Sequence, residues 1–297
     1  MFKSQTRREL IRAAIISVAG AACLGRSARA EESAKPAKPQ GEPLFSFYAM
    51  DTGLRGPDVP TIEAKVALLK KLGYAGIGYS LGDGRLAEML KELDKAGLEL
   101  SAVYLTPSLE QGLPPRLEES VALMKGRRTR IELCINSKEF KPSDPAGDAK
   151  AVEMLKRAAD LCGDSGPVVS VYPHRGSWTE RVEDGVRLAA QAGRKTVGTH
   201  FNLVHWKWVP QTKSLDALLA EAMPHLKAVT INGMAGNQIV SLAEGDFDLV
   251  AFMAAVKKAG YRGLVGLQGY GIKGPSEEHL KKSMEKWREI LAAISRV

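Results

Sequence analysis

The sequence predicts a single (β/α)8 barrel, an α/β fold, on three observations. Eight short apolar runs alternate with longer segments of helical period, as in a parallel sheet covered by helices. Four of the helix-to-strand junctions carry the same glycine punctuation. The chain beyond residue 30 has about the length of one such barrel, typically ~250 residues.

Strand one is read at 44–50 and is followed by a helix at 58–72. That helix ends in Lys71-Leu72-Gly73-Tyr74, with glycine at the left-handed cap position just before strand two at 75–80. A helix at 84–96 closes the same way on Lys95-Ala96-Gly97 before strand three at 98–104. Next come a helix at 116–124, strand four at 130–136, a helix at 148–163 and strand five at 167–172. The helix at 178–192 ends on Gln191-Ala192-Gly193 ahead of strand six at 195–202, and a helix at 214–223 leads to strand seven at 226–232. The helix at 246–259 ends on Lys258-Ala259-Gly260-Tyr261 before strand eight at 263–269, and a helix at 276–294 closes the chain. Eight strand-helix units argue for a closed barrel over an open sheet, and the barrel domain is read at 44–297.

Residues 1–30 read as a leader. Arg7 and Arg8 precede an apolar run from Ala13 to Leu24, and Ser27-Ala28-Arg29-Ala30 offers small residues for cleavage, the pattern of a twin-arginine export signal. The run falls short of the ~20 residues of a membrane span, and Cys23 leaves a lipidated form as an alternative. Residues 31–43 form a polar, proline-rich tether. The leader holds six of the 42 basic residues and one of the 34 acidic ones, so the mature chain carries 36 against 33, a net +3. Such a balance lacks the electrostatic footprint of a nucleic-acid binder. Of the mature cysteines, Cys134 lies on an apparent strand and Cys162 at the end of the next helix, either as buried thiols or as a disulfide.

In such barrels the active site lies at the carboxyl ends of the strands. The polar residues closing them are Tyr48 and Asp51, Tyr79, Tyr104, Asn136, Tyr172 and His174, Asn202 and His205, Asn232, then Gln268 and Tyr270. The set is rich in amides, imidazoles and phenols and poor in carboxylates, which suits a neutral polyol. Tyr48, Asp51, Tyr104, Asn136, Tyr172, Asn202, Asn232, Gln268 and Tyr270 are therefore the candidate substrate-binding residues. His174 and His205 are the candidate acid and base, because imidazole exchanges a proton near neutral pH. Glu132 shares a strand face with Asn136 and is read as structural. Trp206-Lys207-Trp208 either covers the pocket mouth or packs the loop against the rim.

Leu242-Ala243-Glu244-Gly245-Asp246-Phe247-Asp248 and the later Gly260-Tyr261-Arg262-Gly263 resemble the Gly-Asp-x-Asp and Gly-Tyr-x-Gly pattern framing the last strand of the xylose-isomerase-like TIM-barrel family of sugar isomerases and epimerases. Pro173-His174, Phe201-Asn202-x-x-His205 and Pro224-His225-Leu226-Lys227 are similar to the same family. The resemblance implies a divalent metal held by a glutamate, an aspartate, a histidine and a glutamate on strands five to eight. The matching positions here are Tyr172, Asn202, Thr230 and Gln268. Neutral carbonyls, a threonine and a phenol of pKa ~10 are poor ligands for a hard dication. Two readings of the metal stay open, absence or relocation to His174, His200 and His205. The expectation is an exported isomerase- or epimerase-like barrel moving a proton on a sugar or keto-sugar derivative. Its partners are a small carbohydrate and, through the leader, the export machinery, with no nucleic acid; the alternative is a carbohydrate-binding barrel without turnover.

Overall fold

A computed structural model describes residues 44–164 and 166–296. The leader at 1–30 and the tether at 31–43 lie outside the described residues.

In chain order the elements are β1 (Ser46–Met50), α1 (Ile62–Leu72), β2 (Gly76–Ser80), α2 (Leu86–Ala96), β3 (Glu99–Leu105), α3 (Leu117–Leu123), β4 (Arg130–Leu133), α4 (Asp148–Cys162), β5 (Val168–Val171), α5 (Val182–Ala192) and β6 (Val197–Asn202). They continue with α6 (Leu203–Trp208), α7 (Leu215–Ala222), β7 (Leu226–Ile231), β8 (Gly233–Ala235), β9 (Gln238–Val240), α8 (Leu249–Lys258), β10 (Leu264–Leu267) and α9 (Ser276–Ser295). Eight strands close a parallel barrel in the order β1-β10-β7-β6-β5-β4-β3-β2, while β8 and β9 form a separate antiparallel hairpin. The eight expected strands and their helices are all present. The short helix α6 and the β8–β9 hairpin are additions that the periodicity did not mark.

The expected glycine punctuation has a physical basis. Gly73, Gly97 and Gly193 are the C-caps of α1, α2 and α5 and adopt the left-handed conformation, with φ of 85°, 63° and 61°. An L side chain there would strain against the following carbonyl.

Two apolar layers result. The larger lies between the barrel and its helices, where Phe47 stacks on Trp287 of α9 with ring centroids 4.3 Å apart, joining the first strand to the last helix. The smaller fills the barrel lumen with Tyr48, Met50, Cys134, Tyr172, Leu264 and Tyr104. The glycines opposite make room for the phenols. A Cβ on Gly266 would come within 2.5 Å of the Tyr48 ring, and one on Gly78 within 2.8 Å of Tyr104. Cys134 and Cys162 are buried free thiols. No helix among the described residues is long and apolar enough to cross a membrane.

A buried ionic cluster ties α4 to α5. The Arg187 guanidinium donates to both oxygens of Asp148, at 2.9 and 3.1 Å, and to Asp184 Oδ1 at 2.9 Å. Asp148 and Asp184 are 7% and 1% exposed, so losing the arginine leaves two carboxylates uncompensated in low dielectric. Arg187→Ala is expected to destabilise the fold by about 2 kcal/mol, below a fully buried pair because the arginine is partly open to solvent. Urea midpoints would measure it, and an unchanged midpoint would show that solvent already screens the cluster.

Candidate functional site

A cavity of about 530 Å³ opens at the carboxyl ends of the strands. The expected residues Tyr104, Asn136, Tyr172, His174, His205, Gln268 and Tyr270 line it, with Arg175, Ser177 and Trp208. Tyr270 stands at the rim, 58% exposed.

The floor is a network of neutral groups. The Tyr172 hydroxyl donates to Gln268 Oε1 at 3.0 Å, and Asn202 Nδ2 donates to the Tyr172 oxygen and, at 2.9 Å, to Gln268 Oε1. Asn202 Oδ1 accepts from the backbone N–H of His205 at 3.2 Å, capping α6 and setting His205 one turn above it. With Gln268 Oε1 accepting twice, its amide nitrogen has no protein acceptor among the described residues and is free as a donor at the cavity wall.

The four positions that the family resemblance assigns to metal ligands do not fit a dication. The Tyr172 hydroxyl, the Gln268 carbonyl and the Asn202 amide nitrogen bond one another, Asn202 Oδ1 caps α6, and the fourth, Thr230, lies 3.0 Å from His200 Nε2. Burial, followed by the charge of neighbouring groups, holds the Tyr172 phenol well above its usual pKa, so phenolate is out of reach near neutrality.

Relocation to the three histidines is corrected by the geometry. Among the described residues no group of three or more His, Cys, Asp or Glu is placed to hold a metal ion. His200 faces the lumen, but both its nitrogens meet protein oxygens there, Nδ1 at 3.1 Å from Glu132 Oε1 and Nε2 on Thr230.

His174 and His205 do come together, their ring centroids 3.8 Å apart. His174 Nδ1 lies 2.9 Å from the carbonyl oxygen of Arg175, which can only accept, so Nδ1 carries the proton and Nε2 the lone pair. Both nitrogens of buried His205 lack a hydrogen-bond partner. Burial, then the charges of His174, His200 and Arg175, lowers the His205 pKa to about 2. Burial also lowers that of His174, against the Arg175 carbonyl, which raises it. The pair therefore stands as two neutral imidazoles, each with one lone-pair nitrogen that no protein donor among the described residues fills.

The other expected residues sit elsewhere. Asp51 is outside the cavity, its carboxylate accepting from the Ser80 backbone N–H at 2.9 Å and from the Ser80 hydroxyl at 3.0 Å to close the end of β2. Tyr79 bonds Asp83 in the loop after β2. Asn232 is fully buried and donates to the Gly233 carbonyl, at the start of the hairpin. Tyr48 lies beneath the cavity, its hydroxyl 3.1 Å from that of Tyr104. The tryptophans divide their roles. Trp206 packs on Phe201 and Phe252, while Trp208 lines the cavity edge-on to His205, with the Arg175 guanidinium over its ring. Glu132, expected to be structural, lies on the cavity wall. Ile239, from the unforeseen hairpin, covers one side of it. The Gly236-Asn237 pair at the hairpin tip is a turn signal that could have revealed it.

Comparisons with known proteins agree with this architecture. Residues 66–290 match the family model described as xylose isomerase-like TIM barrel. No curated protein matches the chain by sequence. Among solved structures, D-allulose 3-epimerase from Methylomonas sp. in complex with D-allulose is similar at TM-score 0.68 and 16% identity, covering 82% of this chain and 96% of that one. L-ribulose 3-epimerase is similar at TM-score 0.69 and 13% identity, with coverages of 85% and 96%. The 3-keto-D-glucoside 4-epimerase of E. coli reaches TM-score 0.67 at 15% identity, with coverages of 82% and 99%. At such identities the likeness is one of fold.

Proposed function

The chain belongs to the xylose isomerase-like TIM barrel family, and on that premise we propose that it is a sugar isomerase or epimerase that moves a proton on a keto-sugar derivative with side chains in place of the family's metal. The observation that carries this reading is the His174–His205 pair, two neutral imidazoles in contact at an interplanar angle of 42° on the wall of a polyol-sized cavity, with His174 Nε2 and both His205 nitrogens without a protein partner among the described residues.

In the proposed reaction His174 Nε2 takes the proton from the carbon beside the carbonyl, forming an imidazolium and an enediolate. The C–H electron pair moves into the new carbon–carbon double bond, and the carbonyl oxygen takes up the negative charge. The free Gln268 amide N–H is a donor for that oxygen. Return of the proton to the neighbouring carbon, with the enediolate's hydroxyl proton passing to the former carbonyl oxygen, completes isomerisation and regenerates neutral imidazole; return to the same carbon gives the epimer only when the opposite face is protonated. An imidazolium in this desolvated wall is costly, and the enediolate forming beside it offsets that cost. His205 packs against the working ring at an interplanar angle of 42° and positions it.

Purified protein incubated with a keto-sugar panel in D2O is expected to exchange the carbon-bound proton, as read by NMR, with no loss after dialysis against EDTA. Because burial lowers the His174 and His205 pKa values, the base form persists below the usual imidazole midpoint of 6.5. Exchange is therefore expected to stay level from pH 8 through 6.5 and to fall only at lower pH. Saturable sugar binding with no exchange across the panel would instead mean a carbohydrate-binding barrel. We also propose, from the leader alone, that the protein is exported to the periplasm or beyond; cell fractions holding it in the cytoplasm with residues 1–30 intact would refute this.

A further inference from the structure

Resting on the reading above and deepening it, we propose that Glu132 grips the sugar, its carboxylate accepting two adjacent hydroxyls, so that the substrate enters diol-first as a neutral polyol. Glu132 is the one carboxylate on the cavity wall among the described residues. It sits low, level with Ser170 of β5, whereas Tyr172 and His174 lie further toward the mouth. Its side chain is fully buried, yet neither oxygen has a hydrogen-bond partner. His200 Nδ1 approaches Oε1 to 3.1 Å without the alignment of a hydrogen bond, and Thr230 holds that ring from the other side.

Buried oxygens left bare cost free energy, and a folded protein rarely leaves them so. A carboxylate accepts only, so the missing partner must bring protons. A vicinal diol brings two, spaced for two oxygens. A phosphate or carboxylate would bring charge of the same sign against Glu132. The one cation on the cavity wall among the described residues is Arg175, exposed beside Trp208. Any anionic group of the substrate therefore stays at the mouth, with the polyol end against Glu132.

The test is calorimetric titration of the full chain with D-fructose, D-allulose, D-glucose and methyl β-D-glucoside, each beside its singly deoxygenated forms. At least one parent sugar is expected to bind, and losing either of two adjacent hydroxyls should weaken it about 10- to 100-fold, as for a hydrogen bond to a charged group. Glu132→Gln keeps an oxygen for His200 and the side-chain volume. It should weaken the parent sugar similarly and erase the deoxy penalty; Glu132→Asp, which withdraws the carboxylate, replaces it if the glutamine variant does not fold. A wild type without a deoxy penalty, or a penalty that survives in the variant, overturns the grip. If deuterium exchange is intact in that case, the isomerase reading stands alone. Absence of both binding and exchange overturns the two together.

Discussion

His174→Ala is expected to lower carbon-proton exchange and turnover by about 10²- to 10⁴-fold, the usual worth of a positioned general base. His174 is half-buried on the cavity wall, so its removal costs little packing, and the thermal midpoint should move by only a few degrees. His174→Asn is the sharper variant, since its amide N–H can replace the Nδ1–H donated to the Arg175 carbonyl but offers no basic lone pair. It should fold like the wild type and be as inactive as the alanine variant. Full kcat with a raised KM in either variant would reduce His174 to a binding group.

The second large effect is on stability against pH. Folded His205 stays neutral down to about pH 2, whereas the unfolded side chain takes a proton near 6.5. Between those values the unfolded chain holds one more proton, so stability is full above 6.5 and declines as pH falls below it. From this group alone the loss at pH 4 is about 3 kcal/mol. His205→Phe keeps a ring against His174 and Trp208 and removes the titration. Its urea midpoint should fall much less than that of the wild type between pH 7 and pH 4. Equal declines would mean that water reaches the wild-type imidazole and lets it protonate in place.

The fold was legible because barrel strands and their helices are written in periodicities that local sequence carries, and glycines such as Gly73 and Gly97 mark where one gives way to the other. The short helix α6 and the β8–β9 hairpin escaped because six residues or fewer are too short to establish a period. At the site, strand ends told which residues come near the mouth but not where their hydrogen bonds go. Asp51 looked like a ligand group and instead closes β2 through Ser80. Glu132 looked structural because two inward positions below Asn136 seemed too deep, yet the cavity reaches it. His200 was expected to face inward and does, but its contact with Glu132 is made between β6 and β4, which are not neighbours in the sheet. No pairing rule read from one strand could supply that.

The phenols Tyr48 and Tyr104, joined through their hydroxyls and seated against Gly266 and Gly78, plug the lumen at the bottom of the cavity. The chamber is a blind alley, so any ligand must leave by the doorway through which it arrived. In the proposed reaction, accumulating product is then expected to compete with substrate for that single entrance.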